Sequence, residues 1–530
     1  MLNTSLLLMG VVIIICVLLS RFTERLPVPS LLVFIGLGML FGVNGPLGIY
    51  FDDYSMSENI CSACLIFIMF YGGFGTNLRV AKPVAVRAFL LSSLGVAGTA
   101  GLVAVFAHFV LRLGWLESLL IGSVLSSTDA ASVFNILRSQ KFALKDNTAS
   151  LLELESGSND PMSYMLTVIT VSAMLGNEVS VFKTLLAQIF LGAGIGIALG
   201  FLAAFLLNRF RFHFEQGNTI LVFAVALVAY ALPNLIGGNG YLSVYLCGII
   251  MGNRFIVGKK HLVHFFDAIT GIAQMMIFFL LGLLVTPIEL PSVMIPAVCI
   301  MLFLTVIARP IVVSGILLPF RSSLRQICVV SWAGLRGVAS IVFSIYAVLL
   351  HAPIRYNLFN LVFCVVFFSL AFQGALLPWI SKKMQMIDNQ TDVFKTFNDY
   401  QDDHEICFIK SHISDSHPFA HKKIRDIAMP NQFLAALIIR EKKPIVPNGD
   451  HTLIPGDLLV IAAQPFENRE NLSLLEKNVE KGHKWENHRL RDITMKNGSL
   501  IVMIKRDCQT IIPDGNTKIQ ADDTLVIAYF

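Results

Sequence analysis

Two short runs bring hydroxyls and carboxylates together inside stretches that are otherwise apolar: Ser126-Ser127-Thr128-Asp129-Ala130-Ala131 and Glu153-Leu154-Glu155-Ser156-Gly157-Ser158-Asn159-Asp160-Pro161. Serine and threonine oxygens are hard donors that suit an alkali cation. A carboxylate beside them can hold either that cation or a proton. Two further apolar stretches carry a guanidinium, in Gly334-Leu335-Arg336-Gly337 and in Arg309-Pro310. An ionisable group within a lipid-spanning segment costs several kcal/mol unless it is paired or hydrated, so by default it marks a functional site.

Helical spacing orders the second run, because residues four apart share a face. Ser156 then stacks under Asp160, and Glu155 with Asn159 forms an adjacent stripe. That stripe leaves Glu155 to find a cation, for which Arg336 is the expected partner, since a buried pair neutralises two charges that lipid would not tolerate singly. Glu155 and Arg336 read as a structural ion pair, because a transported ion competes poorly with a fixed guanidinium. Pro161 has no N–H for the carbonyl of Gly157, and such irregular backbone is tolerated where it lines a cavity. The bland alternative for Asp129 and Asp160 is hydrogen-bonded glue between helices. Two spans with carboxylates beside hydroxyls, Gly and Pro favour ion binding over it. A membrane aspartyl hydrolase, with Asp129 and Asp160 sharing a proton, fits the hydroxyl-rich surroundings less well. The role of Arg309 stays open.

The elements that position these residues must lie in a membrane. The 530 residues are 55% hydrophobic and only 14% charged, with a mean hydropathy of +0.70, too apolar for an ordinary soluble chain. Apolar blocks long enough to cross lipid as helix predict thirteen spans, near 4–20, 28–43, 57–75, 84–111, 115–137, 148–175, 181–207, 219–236, 241–257, 263–285, 291–319, 324–350 and 357–380. Met1 to Ser20 has neither a basic start nor a small-residue cleavage site before Arg21, and reads as a retained first span. Alternate loops carry seventeen Lys and Arg, among them Arg21, Arg25, Arg138, Lys145, Arg254, Lys260, Arg321 and Lys383, whereas the opposite face holds only Arg112, Lys183 and Arg355. Basic loops stay inside, so the N-terminus is expected outside and the C-terminal tail in the cytoplasm, which requires an odd number of spans. The net charge of +5 is mostly this asymmetry and points to an anionic inner leaflet rather than to nucleic acid. Cys61 and Cys64 lie in an apolar span and read as small buried hydrophobes. Gly192, Gly196 and Gly200 form a small-residue stripe of the kind that lets helices approach.

From about Met384 the chain turns polar. Residues 424–464 align without a gap with 490–530 at an offset of 66, with sixteen identities that include Arg425/Arg491, Asp426/Asp492, Pro447/Pro513, Gly449/Gly515 and Asp457/Asp523. Each copy runs from an apolar stretch through a Pro-Asn-Gly or Pro-Asp-Gly turn to a strand ending in Val-Ile-Ala, a β-rich unit. The expected division is a transmembrane domain at 1–383, a linker at 384–403 and two modules at 404–466 and 467–530. No GxGxxG follows a strand in the tail, so no dinucleotide site is expected there. Seven histidines lie in the tail (His404, His412, His417, His421, His451, His483 and His488). They read as solvated rather than as pH sensors.

Thr128-Asp129, the run from Glu155 to Asp160 and Gly334 to Gly337 resemble, in order and spacing, the signature segments of the monovalent cation:proton antiporter-1 family, NhaP-type. Both tail copies resemble the TrkA-C (RCK-C) module, and the combination resembles the bacterial potassium/proton antiporter branch. The resemblance implies an all-α membrane domain with an NhaA-like inverted repeat and interrupted helices, followed by an α+β tail of two small modules. It implies a monovalent cation held by Thr128, Ser156 and Asp160, supported by Asp129 and Asn159, with Arg336 paired to Glu155. It also implies a homodimer in a bacterial inner membrane, working by alternating access. The expected activity is exchange of potassium for protons, with rubidium or sodium as alternative ions, by competition at Asp160. With Asn159 in place of a second acid, one-for-one electroneutral exchange is expected. No enzyme chemistry and no cofactor beyond the transported ions is expected, although the tail is suited to a small regulatory ligand. Sodium-transporting relatives often place an acid just before the Gly-Gly of the third span, where this chain has Phe70-Tyr71-Gly72-Gly73, which leaves selectivity open. A tail-gated potassium channel or uniporter is the alternative from another class, and no TVGYG-like filter segment supports it.

Overall fold

The computed structural model describes residues 10–19, 30–42, 45, 48–139, 142–176, 180–209, 216–254, 256, 259–388, 407–414, 417–427, 434–440, 443–463, 473–479, 485–493, 499–506, 509–511, 513, 515–521 and 523–529. Arg21, Arg25, Lys141, Arg211, His404, His483 and most of the expected linker lie outside the described residues. The chain divides into two compact units, residues 1–400 and 401–530.

The first unit is helical. Its helices are α1 (Gly10–Leu19), α2 (Ser30–Phe41), α3 (Tyr54–Gly75), α4 (Lys82–Val110), α5 (Trp115–Leu125), α6 (Ala130–Ser139), α7 (Thr148–Met174), α8 (Val181–Arg209), α9 (Gly217–Leu235), α10 (Gly240–Gly252), α11 (Lys259–Leu284), α12 (Leu290–Phe320), α13 (Leu324–Trp332), α14 (Val338–Leu349) and α15 (Leu358–Lys383). Among the described residues, seven helices are long and apolar enough to cross a membrane: α3, α4, α8, α9, α11, α12 and α15. Helix α7 is as long but more polar, because it carries Glu153, Glu155 and Asp160. Shorter apolar helices at Gly10–Leu19, Leu31–Phe41, Trp115–Leu125, Gly240–Gly252 and Val338–Leu349 accompany them.

One succession occurs twice: a long helix, a broken pair, a long helix. It is α4, α5/α6, α7 and again α12, α13/α14, α15. Both leading helices contain a π-helical segment, Leu91–Gly95 in α4 and Leu304–Ala308 in α12, a feature frequent near functional sites. The two segments read from the sequence as continuous spans at 115–137 and 324–350 are each interrupted, at Ser126–Asp129 and at Ala333–Gly337. The glycine stripe of α8 lies against α10: side chains at Gly192, Gly196 and Gly200 would run into Asn239, Ser243 and Ile250. A short antiparallel pair, β1 (Ala143–Leu144) with β2 (Ile387–Asp388), ties the chain after α15 to the α6–α7 connection.

The second unit holds two four-stranded antiparallel sheets. The first is ordered β3-β6-β4-β5, from Cys407–His412, Leu458–Ala463, Leu434–Arg440 and Lys443–Ile445. The second is ordered β7-β10-β8-β9, from Ser473–Asn478, Thr524–Tyr529, Ser499–Arg506 and Gln509–Ile511. The order is the same in both, as the repeat requires. Each sheet has its own apolar core, Ile438, Leu453 and Leu459 in one and Ile504, Ile519 and Leu525 in the other. Each is pinned by the same pair, a buried aspartate and a partly exposed arginine. Arg440 Nε and Nη2 donate to the two Asp457 oxygens at 2.8 Å, and Arg506 repeats this on Asp523 at 2.7 Å. Not every tail histidine is simply solvated: His417 is half-buried, accepts from the Phe419 N–H and contacts the Ser411 hydroxyl.

The Arg440 hydrogen bonds hold the Asp457 carboxyl below its ordinary range against the opposing effect of burial. For Asp523, burial pushes upward and the Arg506 contacts outweigh it. A depressed carboxyl contributes stability that is fully present above its unfolded value, about pH 4, and that is lost as pH falls through the folded value. Arg440→Met strands a buried carboxylate. Because a third of Arg440 is exposed, the expected cost is below that of a fully buried pair, about 2 kcal/mol, read as a lower melting temperature at neutral pH. The gap between variant and native protein should narrow in acid.

Candidate functional site

The two helix breaks cross each other. Helix α5 stops at Leu125 with the Ser126 hydroxyl turned back onto the Ser123 carbonyl. Residues 127–129 belong to no helix or strand, and the Asp129 N–H donates to the Leu335 carbonyl of the other break at 2.8 Å. Gly337 makes this approach feasible, since any side chain there would overlap the Asp129 side chain. Breaking a helix in a membrane leaves terminal N–H and C=O groups and their partial charges unsatisfied. Charged residues at the crossing meet both. Asp129 caps α6, accepting from Ser132 N at 3.2 Å and Ser132 Oγ at 2.5 Å. Arg336 takes the carboxyl end of α5, donating from Nη1 to the carbonyls of Ser126 at 3.0 Å and Ser127 at 2.6 Å. The second break is held by α15, where Ser369 accepts from Arg336 N and Gln373 donates to the Trp332 carbonyl.

Helix α7 passes beside this crossing and presents three side chains to it. Asn159 donates to Thr128 Oγ1 at 2.5 Å, Ser156 donates to the Thr128 carbonyl at 2.6 Å, and Asp160 accepts a hydrogen bond from Ser127 Oγ. Thr128, Asp129, Ser156, Asn159 and Asp160 are therefore brought together. All but Asn159 line a cavity of ≈330 Å³. Gly157 lets the Tyr245 ring lie against α7 within this cavity. The contact to Asp160 comes from Ser127, a residue whose neighbour Thr128 the motif had brought forward. Spacing along one chain does not say which of two consecutive hydroxyls faces a second helix.

The expected Glu155–Arg336 pair is corrected. Glu155 Oε1 accepts from Arg309 Nη1 at 2.7 Å. Arg336 is drawn instead to the negative end of α5, and Arg309, just beyond the π segment of α12, is the guanidinium that faces Glu155.

Two acids to which the sequence assigns no role line the same cavity. Tyr71 donates to Asp267 Oδ1 at 3.1 Å, and Asp267 is exposed. The cavity wall beside Tyr71 of α3 thus carries an acid from α11. The signal was a lone acid in the apolar run His264-Phe265-Phe266-Asp267-Ala268. Glu153 lines the cavity as well, with Thr76 donating to it at 3.4 Å.

One helical turn along α7 from Asp160, Tyr164 packs on Tyr241 with ring centroids 5.0 Å apart, on Phe343 at 5.4 Å and on Tyr346 at 5.8 Å. Tyr241 is buried, and its hydroxyl donates to Ser62, which in turn donates to Glu58 at 2.8 Å. The carboxylate thus lines a cavity, with a cluster of aromatic rings one helical turn along α7.

Residues 10–383 match the family described as sodium/hydrogen exchanger, transmembrane, and residues 412–466 and 474–529 each match the TrkA-C domain. The chain is 34% identical over 471 residues to the K(+)/H(+) antiporter NhaP2 of Shewanella sp. (strain ANA-3), spanning 87% of this chain and 81% of that protein. It is 35% identical over 387 residues to the K(+)/H(+) antiporter NhaP of Alkalimonas amylolytica, spanning 72% and 67%. Among solved structures, the sodium proton antiporter MjNhaP1 from Methanocaldococcus jannaschii has a similar fold, with a TM-score of 0.64 at 21% identity over 72% of this chain and 99% of that one. With most of its length matched by the exchanger family and its C-terminal unit matched twice by TrkA-C, this multi-pass membrane protein belongs to the sodium/hydrogen exchanger family.

Proposed function

We propose that this chain exchanges potassium for protons across a bacterial inner membrane, one for one, by competition for the Asp160 carboxylate. The observation that carries this reading is the position of Asp160. It lines a cavity beside Ser127, Thr128 and Ser156, at a crossing of broken helices whose terminal charges are already met by Asp129 and Arg336. Asn159 is neutral and occupied with Thr128, and Asp129 is engaged as the cap of α6, so of the acids at the crossing Asp160 is the one left to titrate against one cation. The names of the NhaP2 and NhaP relatives support potassium. Sodium is the second reading, favoured by Asp267, which returns an acid to the cavity wall opposite Tyr71.

In the proposed cycle Thr128, Ser156 and Asp160 hold the cation, and only a site occupied by cation or proton crosses. The bundle makes thirteen crossings, counting α5/α6 and α13/α14 as one each, with the N-terminus outside and the tail in the cytoplasm. The two repeated helix successions form inverted halves of a moving core, and the protein works as a homodimer. Residues 1–383 form the exchanger and 384–403 a linker. The modules at 404–466 and 467–530 tune activity when a small ligand binds, with no cofactor in the membrane domain.

Proteoliposomes carrying a preset pH gradient test this directly. Potassium is expected to collapse the gradient without a voltage, more effectively than sodium or lithium. Potassium flux that follows voltage while protons stay in place would replace exchange by a channel. Deleting residues 404–530 is expected to change the ion and pH dependence, and unchanged dependence would remove the tail from regulation.

A further inference from the structure

Glu155, Arg309 and Arg336 form a buried group of two guanidiniums and one carboxylate, 1%, 3% and 2% exposed, and none of the three lines the cation cavity. The broken helices explain why two arginines are present. Each break leaves a carboxyl end with free carbonyls and a partial negative charge. Arg336 serves the end of α5 through Ser126 and Ser127. Arg309 reaches the end of α13, with Nη2 3.4 Å from the Val330 carbonyl. The second break is shaped around it, since a side chain at Gly334 would meet Arg309 Nε at 2.6 Å.

Only one of the two arginines has the carboxylate. Glu155 Oε1 is on Arg309, while Glu155 Oε2 and Arg336 Nη2 are both buried and without a hydrogen-bond partner among the described residues. A guanidinium prefers a carboxylate to neutral carbonyls, because charge-assisted bonds are about twice as strong. Left without Arg309, Glu155 would compete with the Ser126 and Ser127 carbonyls for Arg336. Ser127 is the residue that donates to Asp160, and Glu155 directly precedes Ser156 and lies one turn before Asn159, which both hold Thr128.

We propose that Arg309 is a positioning residue for the cation site: by holding Glu155, it keeps Arg336 on the α5 carbonyls and so keeps Ser127 and Thr128 in register with Asp160. Arg309 touches no transported ion, and its effect passes through Glu155 and Arg336. The inference rests on the antiport reading for its transport measurement and on the geometry alone for its melting measurement.

The test compares full-length wild type, Arg309→Met, Arg309→Lys and the double exchange Arg309→Met with Glu155→Gln in proteoliposomes, measuring potassium-dependent proton movement. Arg309→Met is expected to raise the half-saturating potassium concentration about tenfold or more, a step of about 1.4 kcal/mol, with a smaller fall in maximal rate. Removing the unpaired carboxylate as well is expected to return it to within about threefold of wild type, as a coupled pair does in a double-mutant cycle. Arg309→Lys keeps the counter-charge and should stay near wild type. A double exchange as impaired as Arg309→Met, or an Arg309→Met protein with unchanged potassium dependence, would overturn the proposal. Should Arg309→Met not accumulate as folded protein, recovery of folded, transporting protein in the double exchange supports the pairing and its failure refutes it. If wild type itself moves no protons with any cation, the antiport reading fails, and melting temperatures in detergent then decide. Arg309→Met should lower the melting temperature and Glu155→Gln in that background should restore it, and absence of restoration refutes the pairing.

Discussion

Asp160→Asn is expected to abolish cation-dependent proton exchange, a fall of about a hundredfold or more, equivalent to about 2.7 kcal/mol or more in the barrier, in protein that still folds. The amide is nearly isosteric and can still accept from Ser127 Oγ, so the local packing survives while the carboxylate proposed to exchange proton for cation is removed. Asp129 gives the contrasting case. Its carboxylate is engaged by Ser132 N and Oγ as the cap of α6, and asparagine caps helices nearly as well as aspartate. Asp129→Asn should therefore keep a substantial part of the activity. Proton movement with and without potassium in proteoliposomes reads both variants. Loss in Asp129→Asn with retention in Asp160→Asn would exchange the roles assigned to the two acids.

Gly337→Ala is expected to stop transport as thoroughly, for a reason of shape. A methyl group at Gly337 would fall within the Asp129 side chain, and Asp129 cannot retreat without giving up the N–H bond to Leu335 or the cap on α6. The two breaks must separate, which for an overpacked core costs about 1–3 kcal/mol. The carbonyls held by Arg336 then shift away from Asp160. The expected readings are exchange near background and a lower melting temperature in detergent. Gly315→Ala, with open space around the added methyl, is the matched control in α12 and should behave as wild type. Full activity in Gly337→Ala would show that the crossing need not be tight.

Much of this arrangement is legible in the amino-acid sequence. Hydropathy blocks locate the membrane elements, and the offset of 66 places Arg440 and Arg506 in the same position of two like sheets. The run from Glu155 to Asp160 reads correctly as a helical face, because its spacing is a property of one helix. Contacts between helices are not encoded in that way. Whether Glu155 meets Arg309 or Arg336 depends on which guanidinium the end of α5 captures, and α5 is remote in sequence from both. Asp267 was passed over for the same reason, since its partner Tyr71 lies on another helix. The breaks at Ser126–Asp129 and Ala333–Gly337 leave no gap in hydropathy, so residue by residue each segment reads as one continuous span.

The rings of Tyr164, Tyr241, Phe343 and Tyr346 bear on fidelity rather than on turnover. An alkali ion drawn among them would exchange its full shell of water for a few phenol hydroxyls, one of which, that of Tyr241, is already given to Ser62, a costly exchange in a largely apolar surrounding. Slippage of a cation without a counter-moving proton would thus be opposed by chemistry as well as by packing. Thinning this cluster at Tyr164 is therefore expected to loosen coupling before it slows exchange, a control exerted by residues outside the proposed cation site.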